Sequence, residues 1–319
     1  MYIVTGGAGF IGANIVANLN RRGDSSILVV DDLQQGDKFL NLSHLDIADY
    51  MDLTEFREHL RSGRFRNTRV RAIFHQGACS DTMEYNGRYM MDNNFTYSKE
   101  LFHFAMERNV PFIYASSAAT YGGSQTFVEH PDNEHPLNVY GYSKLLFDRY
   151  VQQHISRTNI TVAGLRYFNV YGPLEDHKGR MASMIHQLHA QLRTTGVAKL
   201  FTGSGGYGDG EQRRDFIHVE DVVKINLFFA DSGHGQGIFN VGTGKSRSFN
   251  DVAQILIKNL QGGEIRYLPM PETLREKYQS FTEADISRLR AIGYDSPFHS
   301  LEEGIESFVR AKEQSLKAS

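Results

Sequence analysis

The segment Thr5-Gly6-Gly7-Ala8-Gly9-Phe10-Ile11-Gly12 lies between an apolar start, Tyr2-Ile3-Val4, and an amphipathic stretch from Ile15 to Leu19. This order predicts a strand, a glycine turn and a helix, the arrangement that binds the pyrophosphate of a dinucleotide. Gly6 would permit the tight bend, Gly9 would let the backbone approach the phosphates, and Gly12 would let the helix pack on the strand. Three spaced glycines alone are more often a flexible turn. The flanking strand and helix, and Asp31 at the end of a second apolar run about 20 residues further on, favour the nucleotide site.

The composition is that of a globular enzyme without a nucleic-acid or membrane partner. The 319 residues contain 34 Lys and Arg against 37 Asp and Glu, so the chain offers no basic surface for nucleic acid. No apolar run approaches the roughly 20 residues that span a bilayer. A single cysteine, Cys79, and a start without a leader-like segment predict a cytoplasmic protein. The 13 histidines show no ligand spacing, so we predict no metal.

Strands and helices alternate through the first half of the chain. This alternation predicts an α/β fold with a Rossmann-type doubly wound parallel sheet, whose ligands lie at the carboxyl ends of the strands. After Gly172-Pro173 the pattern loosens. We therefore expect a dinucleotide-binding Rossmann domain over 1–170, with return elements near 213–243, and a smaller α/β substrate-binding region over 171–319, interleaved with it. The predicted strands are 2–5, 27–31, 71–75, 111–115, 161–167 and 214–219, and the predicted helices are 10–22, 84–107, 142–154, 181–195, 249–260 and 301–312.

Two serines and a Tyr-Lys pair follow the later strands. Ser116 and Ser117 end the strand at 111–115, and Tyr140 and Lys144 lie four residues apart on one face of the next helix. To act as a base at neutral pH, a tyrosine must lower its pKa from about 10 by about 3 units, which takes roughly 4 kcal/mol. A nearby ammonium and an oxidised nicotinamide would favour the phenolate. The pair could be a chance one, but behind the glycine turn it predicts that Ser116 holds a substrate oxygen while Tyr140 moves its proton.

These motifs together resemble the extended short-chain dehydrogenase/reductase family, whose members act on nucleotide sugars. The resemblance runs nearly end to end, and further segments are similar to the branch that epimerises ADP-heptose. Those segments are HQGACS at 75–80, MMDNN at 90–94, RYFNVYGP at 166–173, HKGRMAS at 177–183 and YQSFT at 278–282. The resemblance implies inversion at C6 of the heptose, toward the lipopolysaccharide inner core. Tightly bound NADP would oxidise C6 to a carbonyl and reduce it from the other face, in a homo-oligomer of five subunits.

The resemblance also assigns roles to single residues. Lys178 would be the second acid/base group, which requires loss of its charge by burial; the alternatives are a surface charge or a pyrophosphate contact. The implied cofactor-binding residues are Gly6, Gly9, Phe10, Ile11, Gly12, Asp31, Asp32, Lys38, His75, Gln76, Gly77, Ala78, Cys79, Asn93, Lys144 and Val170. The implied substrate-binding residues are Ser117, Asn169, Arg180, Gln187, Phe201, Thr202, Gly203, Ser204, Arg214 and Tyr278. A guanidinium such as that of Arg214 suits a diphosphate, although it could equally be a solvated charge.

The sequence departs from the pattern at a few positions. Arg180 stands where a small serine is expected, Gln187 follows His186 where a later histidine is usual, and Leu53 replaces a lysine near the adenosine. The glycine-rich insert 205–212 is expected to be mobile because it has few side chains to anchor it.

Two choices stay open at this point. Asp31 favours the ribose 2′-hydroxyl of NAD, whereas Lys38 could neutralise a 2′-phosphate, and the resemblance favours NADP. A UDP-sugar 4-epimerase would use the same serine, tyrosine and lysine. Ala118-Ala119 occupy the place where a dehydratase carries acidic residues, and a non-catalytic dinucleotide-binding protein would commonly lose the Tyr-Lys pair.

Overall fold

A parallel sheet is the centre of the fold. The computed structural model describes residues 1–233, 235–272 and 278–318, and within them seven strands form this sheet. In chain order these are β1 (Tyr2–Thr5), β2 (Ile27–Asp31), β3 (Asp49–Asp52), β4 (Ala72–His75), β5 (Phe112–Ser117), β6 (Val162–Tyr167) and β10 (Gln236–Val241). They lie in the order β10-β6-β5-β4-β1-β2-β3, all parallel. The winding reverses between β1 and β4, so a ligand cleft is expected above their carboxyl ends.

Helices cover both faces of the sheet. Consecutive residues of β1 point to opposite faces, so Val4 packs in one core and Ile3 in the other. The helices α1 and α7 cover the Val4 face, whereas α2, α4 and α5 cover the Ile3 face. Burial on both sides explains why the strands read as continuous apolar runs. The helices in this part are α1 (Phe10–Arg21), α2 (Leu53–Ser62), α3 (Gly87–Met91), α4 (Tyr97–Arg108), α5 (Val139–His154) and α7 (Val219–Ser232).

The later part of the chain builds two small sheets and a third core. A three-stranded sheet in the order β11-β9-β7 joins parallel and antiparallel pairs, and β8 pairs with β12. Leu188, Leu256 and Phe308 pack together in the core beside these sheets. The strands are β7 (Asn169–Tyr171), β8 (Val197–Phe201), β9 (Arg213–His218), β11 (Ser246–Ser248) and β12 (Glu264–Leu268), and the helices are α6 (Met184–Thr195), α8 (Phe249–Leu260), α9 (Ser287–Ala291) and α10 (Leu301–Ala318).

The predicted α/β class with a Rossmann-type doubly wound parallel sheet is confirmed. The helix predicted over 84–107 was placed too early: it begins at Gly87, because Asn86 accepts a hydrogen bond from the Tyr89 N–H as its N-cap, and it contains a π-helical turn at Asp92–Thr96. The strand predicted at 214–219 lies in the small sheet as β9, while β10 returns to the large one. How the chain divides into domains stays a prediction. In the described ranges, no helix is both long and apolar enough to cross a membrane.

Candidate active site

The glycine turn after β1 has the shape that a pyrophosphate requires. Gly6 has a φ of +65°, which favours glycine, and a Cβ on Gly12 would lie 2.1 Å from the Gly6 oxygen. A Cβ on Gly9 would meet that same oxygen at 3.1 Å. The first turn of α1 begins at Phe10 with neither a side-chain cap nor an acidic residue, so the backbone N–H groups there are not satisfied by side chains of the turn. Such a helix start fits an anion.

The carboxylate at the end of β2 is already engaged. Asp31 Oδ2 accepts the Ala8 N–H at 2.8 Å, and its Oδ1 accepts the Asp32 N–H and the Lys38 ammonium, each at 2.8 Å. Lys38 also donates to the carbonyl and carboxylate of Asp32, at 2.9 Å each. Although burial opposes it, the pairing with Asp31 and Asp32 raises the pKa of Lys38. Lys38 therefore stays charged and neutralises Asp31.

The loop after β4 presents its backbone to the cleft, whereas two of its side chains turn inward. His75 is held between the hydroxyls of Thr5 (2.7 Å) and Ser98 (2.8 Å), and burial lowers its pKa to about 3, so the ring is neutral. The Gln76 amide donates to Asn226 at 3.1 Å and accepts from Tyr167 at 3.1 Å. As cofactor residues, both could contribute only main-chain atoms.

A residue that the sequence reasoning missed holds this loop. The buried Asn94 accepts the Cys79 N–H at 2.8 Å and donates to the Cys79 carbonyl at 3.0 Å and to Ser143 at 3.0 Å. The predicted neighbour, Asn93, instead donates to the Tyr89 carbonyl of its own helix, and its role at the cofactor stays a prediction. Burial raises the pKa of Cys79, which suits a small packing residue better than a nucleophile.

The assignment of the two serines has to be corrected. The Ser116 hydroxyl is buried and donates to Asp148 at 2.9 Å, beside Arg166, whose Nε lies 2.9 Å from the same carboxylate. Successive strand residues face opposite sides of the sheet, so Ser117 is the one that turns toward the cleft and hydrogen-bonds with the side chain of Tyr140. Ser117 takes the place that the sequence had given to Ser116.

A glycine at the start of α5 makes the contact between Ser117 and Tyr140 possible. A Cβ on Gly141 would lie 2.5 Å from the Ala119 carbonyl oxygen, so only glycine lets the helix approach the turn that follows β5. The N-cap Asn138 accepts the Gly141 N–H at 2.8 Å and fixes the first turn. This start of α5 holds the Tyr140 side chain within hydrogen-bonding distance of Ser117.

The electrostatics of the Tyr-Lys pair differ in part from expectation. Burial raises the pKa of Tyr140, and its hydrogen bond with Ser117 opposes that rise. Burial lowers the pKa of Lys144 to about 8, while Asp148 pulls it upward. The Lys144 ammonium donates to the Ala115 carbonyl at 2.9 Å. In the protein alone the phenol is therefore not yet activated, which leaves room for a positive charge brought by a bound dinucleotide.

Lys178 lies at the phosphate end of the cleft. Its ammonium is 5.2 Å from the centre of the Phe10 ring, at the first turn of α1. Burial lowers its pKa, as an acid/base group requires, while Glu175 raises it. Among the described contacts none joins Lys178 to Tyr140. Its position is compatible both with proton transfer across a sugar and with a pyrophosphate contact, and its role stays a prediction.

Some of the predicted substrate residues, Phe201, Arg214 and Tyr278, lie close together near the end of β8. Arg214 is 8% exposed, and its guanidinium lies 5.1 Å from the centre of the Tyr278 ring and 5.6 Å from that of Phe249. Among the residues described, no carboxylate lies within ion-pair distance of Arg214, and burial lowers its pKa. A buried, unpaired guanidinium between aromatic rings is a built site for an anion. Phe201 contacts Tyr278 edge-on at 6.3 Å.

The neighbouring polar residues define the rim of this subsite. Gln212 donates to the Thr202 carbonyl at 3.0 Å and to the Ser204 hydroxyl at 3.1 Å. The insert has anchors that the sequence did not reveal: Asp209 accepts the Gly203 N–H at 2.8 Å, and Asn250 donates to the Asp209 carbonyl at 2.8 Å. The expectation that the insert 205–212 has too few side chains to anchor it is therefore wrong.

Arg180 and Gln187, two of the departures from the family pattern, contact other residues of the chain. The exposed Arg180 forms an ion pair with Asp81, with Nη2 2.7 Å from the carboxylate. The Gln187 amide donates to the Ala182 carbonyl at 2.7 Å. Asn169 is exposed at the start of β7, and Val170 follows it, half-buried. Their contacts with ligands stay predictions.

One group of potential metal ligands lies outside the cleft. In the described chain, ligand atoms of His218, Glu220 and His299 lie within 4.8 Å of one another. However, His218 Nδ1 accepts the Glu220 N–H at 3.3 Å, which places the ring proton on Nε2. Ligation through Nε2 would cost this helix cap, so we do not assign a metal there.

The parallel sheet, the glycine turn and the group of Ser117, Tyr140 and Lys144 define a dinucleotide-binding enzyme scaffold. Sequence similarity identifies its family. Residues 2–242 match the NAD dependent epimerase/dehydratase family, and the chain belongs to it. It is 53% identical, over 98% of its length and 97% of the relative, to an ADP-L-glycero-D-manno-heptose-6-epimerase from Alkalilimnicola ehrlichii.

Solved structures show the same relationship. The crystal structure of the Helicobacter pylori ADP-L-glycero-D-manno-heptose-6-epimerase matches with a TM-score of 0.85 and 31% identity, covering 97% of this chain and 95% of that one. A UDP-glucose 4-epimerase from Thermotoga maritima, solved with UDP-glucose, matches with a TM-score of 0.82 and 29% identity, covering 99% of both chains.

Proposed function

We propose that this protein inverts C6 of the heptose in ADP-D-glycero-D-manno-heptose, giving ADP-L-glycero-D-manno-heptose. The observation that carries the proposal is the 53% identity to the Alkalilimnicola heptose epimerase over nearly the whole chain. The 4-epimerase scaffold from Thermotoga, at 29% identity, is a more distant relative, which disfavours the alternative of a UDP-sugar 4-epimerase. The cytoplasmic location, expected from the single cysteine and the start of the sequence, and the homo-oligomer, implied by the resemblance, remain predictions.

The cleft supplies the groups that such a reaction needs. A bound nicotinamide dinucleotide would accept a hydride from C6 and return it, which makes C6 a ketone in between. Ser117 would hold the C6 oxygen and Tyr140 would carry its proton. Because the oxygen points in opposite directions in the two epimers, a second proton carrier is needed, and Lys178 is our candidate. Arg214 would hold the diphosphate, and its guanidinium is packed over the Tyr278 ring.

The residues of the turn and of β2 fit the dinucleotide. Gly6, Gly9 and Gly12 would face its pyrophosphate together with the N–H groups at the start of α1. For the finer choice we propose NADP. Lys38 neutralises Asp31 at 2.8 Å, which removes the repulsion that this carboxylate would otherwise exert on a 2′-phosphate. NAD remains the alternative.

Product stereochemistry tests the function. The purified protein is incubated separately with ADP-D-glycero-D-manno-heptose and with UDP-galactose, and the products are resolved by NMR. We expect a mixture of C6 epimers from the first substrate and unchanged UDP-galactose. Conversion of UDP-galactose alone would overturn the proposal in favour of the 4-epimerase.

Isotope retention tests the chemistry independently. Hydride held by a nicotinamide does not exchange with water, whereas a proton removed next to a carbonyl does. Turnover in deuterated water should therefore leave C6 free of deuterium, and deuterium placed at C6 should stay in the product. Deuterium entering C6 as fast as epimerisation proceeds would rule out transient oxidation.

A further inference from the structure

A buried carboxylate lies in the loop that carries Lys178. Glu175 is 0% exposed and belongs to the segment 172–183 between β7 and α6. Its Oε1 accepts the Ser183 hydroxyl at 2.7 Å and the Gly172 N–H at 3.4 Å, and its Oε2 accepts the Ser183 N–H at 2.7 Å. The carboxylate therefore joins the two ends of the loop. The Glu175 carbonyl also accepts the Lys178 N–H at 3.1 Å.

The carboxylate of Glu175 is satisfied by hydrogen-bond donors and, in the part of the chain that the structure describes, makes no direct ion pair. In the described ranges, no lysine or arginine lies within ion-pair distance of its carboxylate. Burying a carboxylate costs several kcal/mol unless hydrogen bonds satisfy it, and here Ser183 supplies two short ones. The carboxylate accepts on both oxygens, which a neutral amide could not do, because its NH2 group would meet the Ser183 N–H. The same group brings a negative charge into the loop that carries Lys178.

The loop backbone needs such a clamp. Leu174, directly before Glu175, has a φ of +74°, in the left-handed region that is unfavourable for leucine. Conformations of this kind cost on the order of 1–3 kcal/mol and persist where surrounding contacts impose them. Asn41 adds one such contact, because its amide donates to the Leu174 carbonyl at 3.2 Å and lies 3.2 Å from His177 Nδ1.

Resting on the function proposed above, we propose that Glu175 is a positioning residue for Lys178: it closes the loop that presents this lysine and places a buried carboxylate in that loop, three residues before it. Burial lowers the pKa of Lys178, and Glu175 is the charge that holds it up. A group that must both take and give a proton works best with a pKa near the working pH. Glu175 keeps Lys178 from becoming too weak a base.

The other titratable groups described near Lys178 do not offer a free negative charge, since the Asp176 carboxylate of the same loop is paired with the Lys312 ammonium. His177 lies beside it in the loop and His186 faces it from α6; burial lowers the pKa of both, to about 4 for His177. Both rings are therefore neutral at pH 7. On the α1 side the contact is the uncharged Phe10 ring. Removing the Glu175 charge should thus act on Lys178 without compensation.

Competitive acetylation of Lys178, read by mass spectrometry across a pH series, tests the inference without turnover. In Glu175→Gln the labelling midpoint should move down by about 1 pH unit, as expected for losing an opposite charge; a loop that was merely loosened would expose Lys178 and move the midpoint up, since burial lowers its pKa. Glu129→Gln is the matched control, because Glu129 is also a largely buried carboxylate bound to a main-chain N–H, that of Asn240 at 2.7 Å. The control should keep the wild-type midpoint.

Kinetics add a second readout. The acid limb of the kcat/KM profile should shift to lower pH in Glu175→Gln, with kcat reduced on the order of tenfold and KM nearly unchanged. If Glu175→Gln does not fold, Glu175→Asp, which withdraws the charge by one methylene, should give a smaller shift in the same direction. An unchanged labelling midpoint in the folded variant would overturn the inference. A wild-type protein that fails to epimerise ADP-heptose would instead overturn the proposed function and leave the labelling result standing.

Discussion

Exchange of the two adjacent serines for alanine separates their roles. Ser117→Ala removes the hydroxyl that contacts Tyr140 at the cleft, and loss of one donor to a reacting oxygen typically costs 10²- to 10³-fold in kcat. Ser117 also accepts the Ala119 N–H at 3.1 Å as an N-cap, so we expect the free energy of unfolding to fall by about 1 kcal/mol. Ser116→Ala instead withdraws one donor from the fully buried Asp148, which keeps Tyr114 and Arg166 at 2.9 Å each. A hydrogen bond to a charged group contributes about 1.5–3 kcal/mol, so the free energy of unfolding should fall by about 2 kcal/mol.

The two variants are compared by NMR of the epimer ratio over time and by equilibrium denaturation. We expect Ser117→Ala to lose more than a hundredfold in activity with the smaller loss of stability, and Ser116→Ala to lose more stability but to retain most activity. The reverse outcome, with activity lost more than a hundredfold in Ser116→Ala and kept in Ser117→Ala, would refute the side-chain orientation on which the reasoning depends.

Three further predictions follow from the same site. Tyr140→Phe should fold and bind dinucleotide, measured by fluorescence titration, but lose about 10²- to 10⁴-fold in epimerisation; retention of half the wild-type rate would contradict its role. Lys144 has a folded-state pKa of about 8 against an ordinary 10.5, so between these values the unfolded chain holds a proton that the folded protein has released, and stability rises with pH. Lys144→Met should lose this rise in denaturation measured at pH 7.5, 9 and 10, and an identical slope in both proteins would disprove the shift. Lys38→Ala should weaken NADP by about 1.5–3 kcal/mol and NAD little, in binding titrations, because it removes one charge-assisted contact and unmasks Asp31; equal losses would mean that Lys38 only holds its loop.

Local patterns determined the outline of this protein. The strand, glycine turn and helix that open the chain lie within about two dozen residues, so their spacing predicts the dinucleotide turn before any long-range contact is known. The continuous apolar strands follow from burial on both faces. Tyr140 and Lys144 could be placed on one helix because a separation of four residues is a helical neighbour relation. The position of Asp31 at the cofactor could be predicted because it lies about 20 residues beyond the glycine turn.

The tertiary structure decided what depends on one-residue register or on segments far apart in the chain. Ser116 and Ser117 are chemically identical, and only the facing of β5 and the close approach of Gly141 to Ala119 select Ser117. Arg214 becomes an anion site because the distant Tyr278 and Phe249 enclose it without a carboxylate. Glu175 reads as a surface acid in the sequence, yet folding buries it, because the two ends of its loop converge on its carboxylate. A shift of one residue along a strand reverses which side chain faces the cleft, and no local spacing records which distant groups will surround it.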